Sequence, residues 1–195
     1  WNSSLWTADE MGKFITSYLG PTFRKENIPA KIIFGENPLW AVYMPQLKMV
    51  SSKDFTDTIL QNYPEAKDFN LIAAGHGYSL SPDIMPIKVD KEYLKTAILP
   101  FEMAEKADIP VWITEISDVN PLDISIHDGL KWAVTFHNYL TKANVNAIIW
   151  WGGAMPTSNN ESLIILDKNR KDFLLSKRYD IFGNFSRYIP EESTR

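Results

Sequence analysis

Val111-Trp112-Ile113-Thr114-Glu115 is the stretch on which the reading of this chain turns. It is a short apolar, β-branched run that follows Pro110, ends on a carboxylate and gives way to the turn-rich segment Ser117 to Pro121. Such a run predicts a fully buried strand. A glutamate at the C-terminal tip of a buried strand is where a parallel α/β barrel keeps its chemistry. The plainer alternative is a strand that stops at a solvated charge.

Working outward, the same arrangement recurs. Lys31 to Phe34 predict a strand that leads into Gly35-Glu36-Asn37-Pro38. Leu71 to Ala74 predict another, ending in Gly75-His76-Gly77-Tyr78, and Ala147 to Trp151 predict the last. Strand starts at 31, 71, 111 and 147 lie about 40 residues apart, the scale of a βα unit with generous loops.

Helical patterns alternate with these strands. Thr7-Ala8-Asp9-Glu10 forms a capping box that opens a helix through about Leu19, ended by Gly20-Pro21. Ser51 or Ser52 caps a helix over 54–63, and another spans about 91–107. Ile126, Leu130, Val134, His137 and Tyr139-Leu140 mark an inward apolar stripe, and a final helix covers about 177–188. Strands alternating with helices imply a parallel sheet with right-handed crossovers.

Composition narrows the field. The chain has 195 residues, 45% of them hydrophobic and 23% charged, enough for a globular core. A net charge of −4 gives no reason to expect nucleic acid or an anionic membrane as partner. No apolar run reaches the roughly 18–20 residues of a membrane span. Without cysteine there is neither a disulfide framework nor a thiolate metal site. His127 and His137 fall on one helix and His76 has no partner at metal-ligand spacing, so no metal or other cofactor is expected. Asn2-Ser3-Ser4, Asn160-Glu161-Ser162 and Asn184-Phe185-Ser186 match the N-glycosylation pattern, which also arises often by chance.

The strand ends carry the chemistry. Glu36 follows the first strand, His76 and Tyr78 the second, Glu115 the third, and Trp150 with Trp151 the fourth. In a parallel barrel these ends point to one face. Carboxylates, an imidazole, a phenol and an indole facing a cleft suit glycoside hydrolysis. The absence of a Gly-x-Ser-x-Gly elbow or a cysteine nucleophile argues against a small α/β enzyme of another kind. Four strands are nevertheless half of an eight-stranded barrel, which typically needs about 250 residues. The neutral alternative is a small doubly wound domain, but no glycine-rich phosphate loop follows the first strand.

These residues resemble glycoside hydrolase family 30, of clan A. Trp6-Thr7-Ala8-Asp9-Glu10-Met11, with Phe14-Ile15 through Leu19-Gly20-Pro21, resembles the helix after barrel strand four. Lys31-Ile32-Ile33-Phe34-Gly35-Glu36 resembles strand five. Ile72-Ala73-Ala74-Gly75-His76-Gly77-Tyr78 resembles strand six with its His-x-Tyr end, and Trp112-Ile113-Thr114-Glu115 the strand-seven nucleophile motif. Asp128 to Ala147 with Trp150-Trp151 resembles the region of helix seven and strand eight, and 179–189 the last helix.

The resemblance covers nearly the whole chain in the family's order. It implies a (β/α)8 TIM-barrel type fold, of which residues 1–195 supply about the last four βα units, strands five to eight. It also implies a retaining mechanism on a β-linked glycan or glycoside, with an extracellular or periplasmic location. Glu115 would be the nucleophile. His76, Tyr78 and Glu36 would line the substrate site, with Trp151 as a stacking floor and Trp150 turned toward the core.

One departure matters. The family's acid/base glutamate belongs to an Asn-Glu-Pro motif at the end of strand four, which has no matching position here. Either Glu36 substitutes for it, or the chain is a fragment whose acid/base lies upstream of residue 1. The family's small β side domain is also expected to be absent, since the sequence runs out in a polar tail, Glu191 to Arg195. The first reading is therefore the nucleophile half of an endo-acting retaining β-glycosidase, inactive in isolation. The second is a non-catalytic sugar-binding or scaffold half-barrel. Either would pair with a missing N-terminal half or self-associate.

Overall fold

Thr7 opens the first helix as its side chains dictate. Its hydroxyl accepts from the Glu10 amide at 3.1 Å, and the Glu10 carboxylate accepts from the Thr7 amide at 2.9 Å. Helix α1 (Ala8–Phe14) does not stop at Gly20-Pro21 as the sequence suggests. It passes through a π turn, Ile15–Leu19, into α2 (Gly20–Lys25). The Gly20 amide reaches back five residues to the Ile15 carbonyl. This widened turn puts Pro21 in the first turn of α2, where its missing N–H leaves no bond unmade. Gly20 serves packing rather than termination, since a Cβ there would meet the Phe69 ring at 2.5 Å.

The computed structural model describes residues 5–41, 50–78, 98–167, 169 and 171–194. Its central sheet contains β1 (Ile32–Asn37), β2 (Leu71–His76), β3 (Val111–Ile116) and β4 (Ala147–Trp150), in that order and all parallel, as the spacing predicts. Helix α3 (Ser52–Asn62) lies between β1 and β2, with the Ser51 hydroxyl accepting from the Asp54 amide at 3.0 Å. Helix α4 (Glu102–Lys106) precedes β3. It is shorter than the helix expected over about 91–107: residues 98–101 are not helical, since Pro100 disfavours helical backbone at Leu99, and residues 91–97 lie outside the described residues. Helix α5 (Ile126–Lys142) joins β3 to β4, and α6 (Lys177–Tyr188) closes the chain.

The helices cover one face of this sheet. Ile32 and Phe34 of β1, Leu71 and Ala73 of β2, and Val111 and Ile113 of β3 share a core with residues of α3, α4 and α5. On the opposite face Ile33 and Ile149 each remain 45% exposed. One apolar face is packed on helices, whereas the other is open at the edge strands and buried at Ile72 and Ala74 of β2, a layout compatible with half a barrel.

The inward face of α5 differs from the expected stripe. Ile126, Leu130 and Val134 stand about half exposed, and His127 and His137 are exposed too. Tyr139 of the expected stripe is buried and Leu140 packs against the core, but the inward residues beside them are Gly129, Trp132 and Phe136. These also recur at three- and four-residue steps, and the aromatic stripe buries more area than the aliphatic one.

Residues 152–176 hold a second, three-stranded sheet that the sequence reading left unassigned. It comprises β5 (Gly152–Met155), β6 (Ser162–Asp167) and β7 (Asp172–Leu175). β5 and β6 run parallel, and β6 and β7 form an antiparallel hairpin. Arg178 ties this sheet to the helices. In sequence it reads equally as a surface or helix-end charge, yet it is fully buried. Its Nε donates to the Ser162 carbonyl at 3.0 Å, and its Nη1 to Asp123 O, Asp128 Oδ2 and Asn160 Oδ1 at 2.8, 2.7 and 3.1 Å. Lys131 completes the cluster by bridging Asp118 and Asp128 at 2.6 and 2.8 Å. Asn160 is thus a buried partner of Arg178 rather than an accessible glycan acceptor, whereas Asn184 is exposed on α6.

Candidate active site

Irregularities at the C-terminal ends of the strands build the site. In β1, Gly35 pairs with Ala74 and Asn37 with Gly75, so Glu36 is a bulged extra residue. Gly35 adopts φ +104°, where an added Cβ would lie 2.4 Å from the Ala74 carbonyl oxygen, and Glu36 itself adopts a left-handed φ of 56°. Bulges re-aim side chains, and left-handed backbone at a non-glycine residue costs of order 1–3 kcal/mol. In β3, Gly75 pairs with Ile113 and His76 with Glu115, which leaves Thr114 as the extra residue.

The result is a contiguous polar cluster. His76 Nε2 lies 3.2 Å from Glu36 Oε2, and its Nδ1 lies 3.8 Å from Glu115 Oε1. The Tyr78 hydroxyl donates to Glu115 Oε1. The His76 and Tyr78 rings meet edge to face with centroids 5.7 Å apart. Glu115 and His76 are largely buried, and Glu36 is the more open member. Sequence reasoning named all four, and the structure brings all four together.

Electrostatics separates their roles. Burial, then the hydrogen bond to Glu115 and the charge of that carboxylate, hold the Tyr78 phenol well above its ordinary value, so it stays a donor at neutral pH. Burial alone would push the Glu36 carboxyl up. Polar contact with His76 and with Thr114 outweighs it and leaves Glu36 below the ordinary carboxylate range. The Thr114 hydroxyl is buried without a well-formed hydrogen bond, so its influence on Glu36 is one of proximity.

The tryptophans divide. Trp150 is 6% exposed, packs edge-on against Trp132 and Phe136 on the helix side, and donates from Nε1 to the Glu161 carbonyl at 2.8 Å. Trp151 is 54% exposed, and its amide bonds to the Ile116 carbonyl, one residue past Glu115. Trp150 is therefore a core residue, and Trp151 the one available to a ligand. Among the described residues no group of three or more His, Asp or Glu could hold a metal ion, and no helix is long and apolar enough to cross a membrane. A separate cleft of about 770 Å³ lies at the opposite end of the sheet, between Pro110, His137 and Tyr188, remote from these strand ends.

No family model matches the chain. Solved structures do. The catalytic domain of a glycoside hydrolase family 30 xylanase from Talaromyces cellulolyticus superposes with a TM-score of 0.67 at 18% identity, over 96% of this chain and 37% of that one. A family 30, subfamily 8 xylanase from Clostridium acetobutylicum gives 0.62 at 19% identity, over 97% and 38%. An endo-β-1,6-glucanase gives 0.60 at 15% identity, over 93% and 39%. The chain thus shares the fold of part of the family 30 α/β barrel and spans somewhat more than a third of the length of these structures.

Proposed function

We propose that this chain is the C-terminal half of a retaining β-glycosidase barrel, strands five to eight, and that Glu115 is its nucleophile. The observation that carries this reading is the cluster itself. Glu115, His76, Tyr78 and Glu36 meet at the C-terminal ends of three adjacent parallel strands, the end at which such barrels do chemistry. In this reading Glu115 attacks the anomeric carbon to form a glycosyl ester, which water then hydrolyses. The Tyr78 hydroxyl, donating to Oε1, holds the attacking carboxylate in place. Trp151 offers its exposed face to a sugar ring.

The acid that protonates the leaving oxygen is assigned to another segment. Retaining catalysis needs two carboxyl groups about 5–5.5 Å apart, and the acid needs a raised pKa. Glu36 is shifted the other way, as suits a supporting carboxylate. The substrate would be a β-linked glycan, and such a substrate would place the protein outside the cytoplasm.

The test is hydrolysis of xylan, β-1,6-glucan and activated aryl β-glycosides by the purified 195-residue chain, alone and with Glu36→Gln or Glu115→Gln. Natural glycans should turn over at least about 10²–10⁴-fold more slowly than with a complete acid/base pair. Any residual reaction with aryl glycosides should depend on Glu115 and survive Glu36→Gln. Strong turnover of natural substrate, abolished by both changes, would make Glu36 the acid and remove the fragment reading.

A further inference from the structure

We propose that Glu36 is a positioning residue acting through His76. It fixes the neutral imidazole in its Nε2–H form, so that Nδ1, on the Glu115 side, presents a lone pair to a hydroxyl donor. The class of that donor, a sugar hydroxyl, rests on the glycosidase reading above. The tautomer itself does not.

The argument starts from proton counting. A neutral imidazole has one N–H, and an ionised carboxylate can only accept. His76 has a carboxylate beside each nitrogen, but only one is within hydrogen-bond distance: Glu36 at 3.2 Å from Nε2, against Glu115 at 3.8 Å from Nδ1. The proton therefore belongs on Nε2. Glu115 Oε1 instead receives the Tyr78 hydroxyl. The gap between Nδ1 and Oε1 is too long for a direct bond, as expected of two acceptors facing each other.

The backbone supports this assignment. Glu36 reaches His76 only because it is the bulged residue of β1, held in left-handed conformation after a glycine that no other residue could replace without striking Ala74. Strain kept at a strand end in order to aim one carboxylate at one ring nitrogen is the pattern of a positioned site rather than of a solvated surface charge. A nitrogen fixed by the partner of its twin is also how second carboxylates set histidine tautomers elsewhere.

Long-range ¹H–¹⁵N correlation of the imidazole nitrogens in the ¹⁵N-labelled 195-residue chain tests the proposal, at about pH 8.5, where an ordinary imidazole is neutral. His76→Gln assigns the signals against those of His127 and His137. The wild-type chain should show Nε2 protonated and Nδ1 bare. Glu36→Gly removes the carboxylate at a position where glycine is at ease with φ of 56°. It should move the proton to Nδ1 in more than half of the molecules, because Glu115 is then the remaining charged acceptor. Glu36→Gln keeps an acceptor oxygen and should restore the Nε2–H form. A wild-type signal protonated on Nδ1 or on both nitrogens would overturn the proposal without any variant being made. A Glu36→Gly tautomer identical to wild type would overturn it equally. Because no glycan takes part, such a failure stays distinct from failure of the turnover experiment.

Discussion

Replacing Arg178 by Met should be among the most destabilising single changes in this chain. The guanidinium is fully buried and makes four hydrogen bonds, to Ser162, Asp123, Asp128 and Asn160. Met fills much the same volume, so the loss is electrostatic rather than a cavity. Two carbonyls lose the guanidinium donor, Asn160 Oδ1 is left with the Asp123 amide at 2.7 Å, and the buried Asp128 is left with Lys131 at 2.8 Å as its cation. Removing one partner of a buried ion pair costs about 3–5 kcal/mol. For a chain of this length that corresponds to a melting temperature about 6–20 °C lower. Urea unfolding at pH 7 would read it as a fall in midpoint at unchanged slope. The same reasoning predicts non-additivity. Arg178→Met with Asp128→Leu should cost less than the sum of the two single changes, because the double variant strands no charge. A single-variant loss under about 1 kcal/mol, or strict additivity, would show that the cluster is not the clamp that its geometry implies.

The remaining expectations are more local. Trp150→Ala should cost about 3–5 kcal/mol, whereas Trp151→Ala should stay within about 0.5 kcal/mol in the same unfolding assay and, under the glycosidase reading, weaken retention on β-glycan columns. Gly35→Ala should cost about 1–3 kcal/mol or more through its φ and the Ala74 clash. Gly183→Ala, in α6 where a Cβ meets nothing within 4 Å, should instead stabilise by about 0.5–1 kcal/mol. Tyr78 has its pKa raised on folding, so above about pH 10 the native state holds a proton that the unfolded chain releases. Its contribution is complete below that pH and is lost as the pH rises further. Titration at 295 nm should show a late-ionising phenol that Tyr78→Phe removes and Glu115→Gln brings earlier.

The sheet was legible because its strands are short apolar runs between turn residues, repeated at a spacing only a βα unit explains. Hydrophobic period alone could not choose the face of α5. Ile126, Leu130 and Val134 and the series Gly129, Trp132, Phe136 and Tyr139 share one helical step, and the choice depends on what the sheet and α6 offer. Gly20-Pro21 misled because a π turn absorbs a proline that an α-helix would not. The β5–β7 sheet was missed although Ser162-Leu163-Ile164-Ile165-Leu166-Asp167 is as strand-like as β3. Its alternation is blurred, and it does not fit the 40-residue repeat. Arg178 read as a surface charge because its four partners come from three separate stretches, 123–128, 160 and 162, which sequence does not place together.

The site itself was legible for a reason that simple alternation contradicts. Ile32 and Phe34 face the helices, so Glu36 should follow them there. Val111 and Ile113 do likewise, so Glu115 should point into the helix layer. His76 alone obeys alternation, since Leu71 and Ala73 take the helix side and even positions the other. The bulges at Glu36 and Thr114 reverse the phase at the next-to-last residue of two strands, and Ile116 returns to the core straight after Glu115. A one-residue irregularity is thus what separates a carboxylate buried among helices from one held against Tyr78 and His76. Gly35 announces the first bulge in the sequence. Nothing announces the second, because Thr114 adopts no conformation that demands a special residue. Strand-end position predicts which residues meet in this fold, while their orientation is decided by bulges that only the paired backbone reveals.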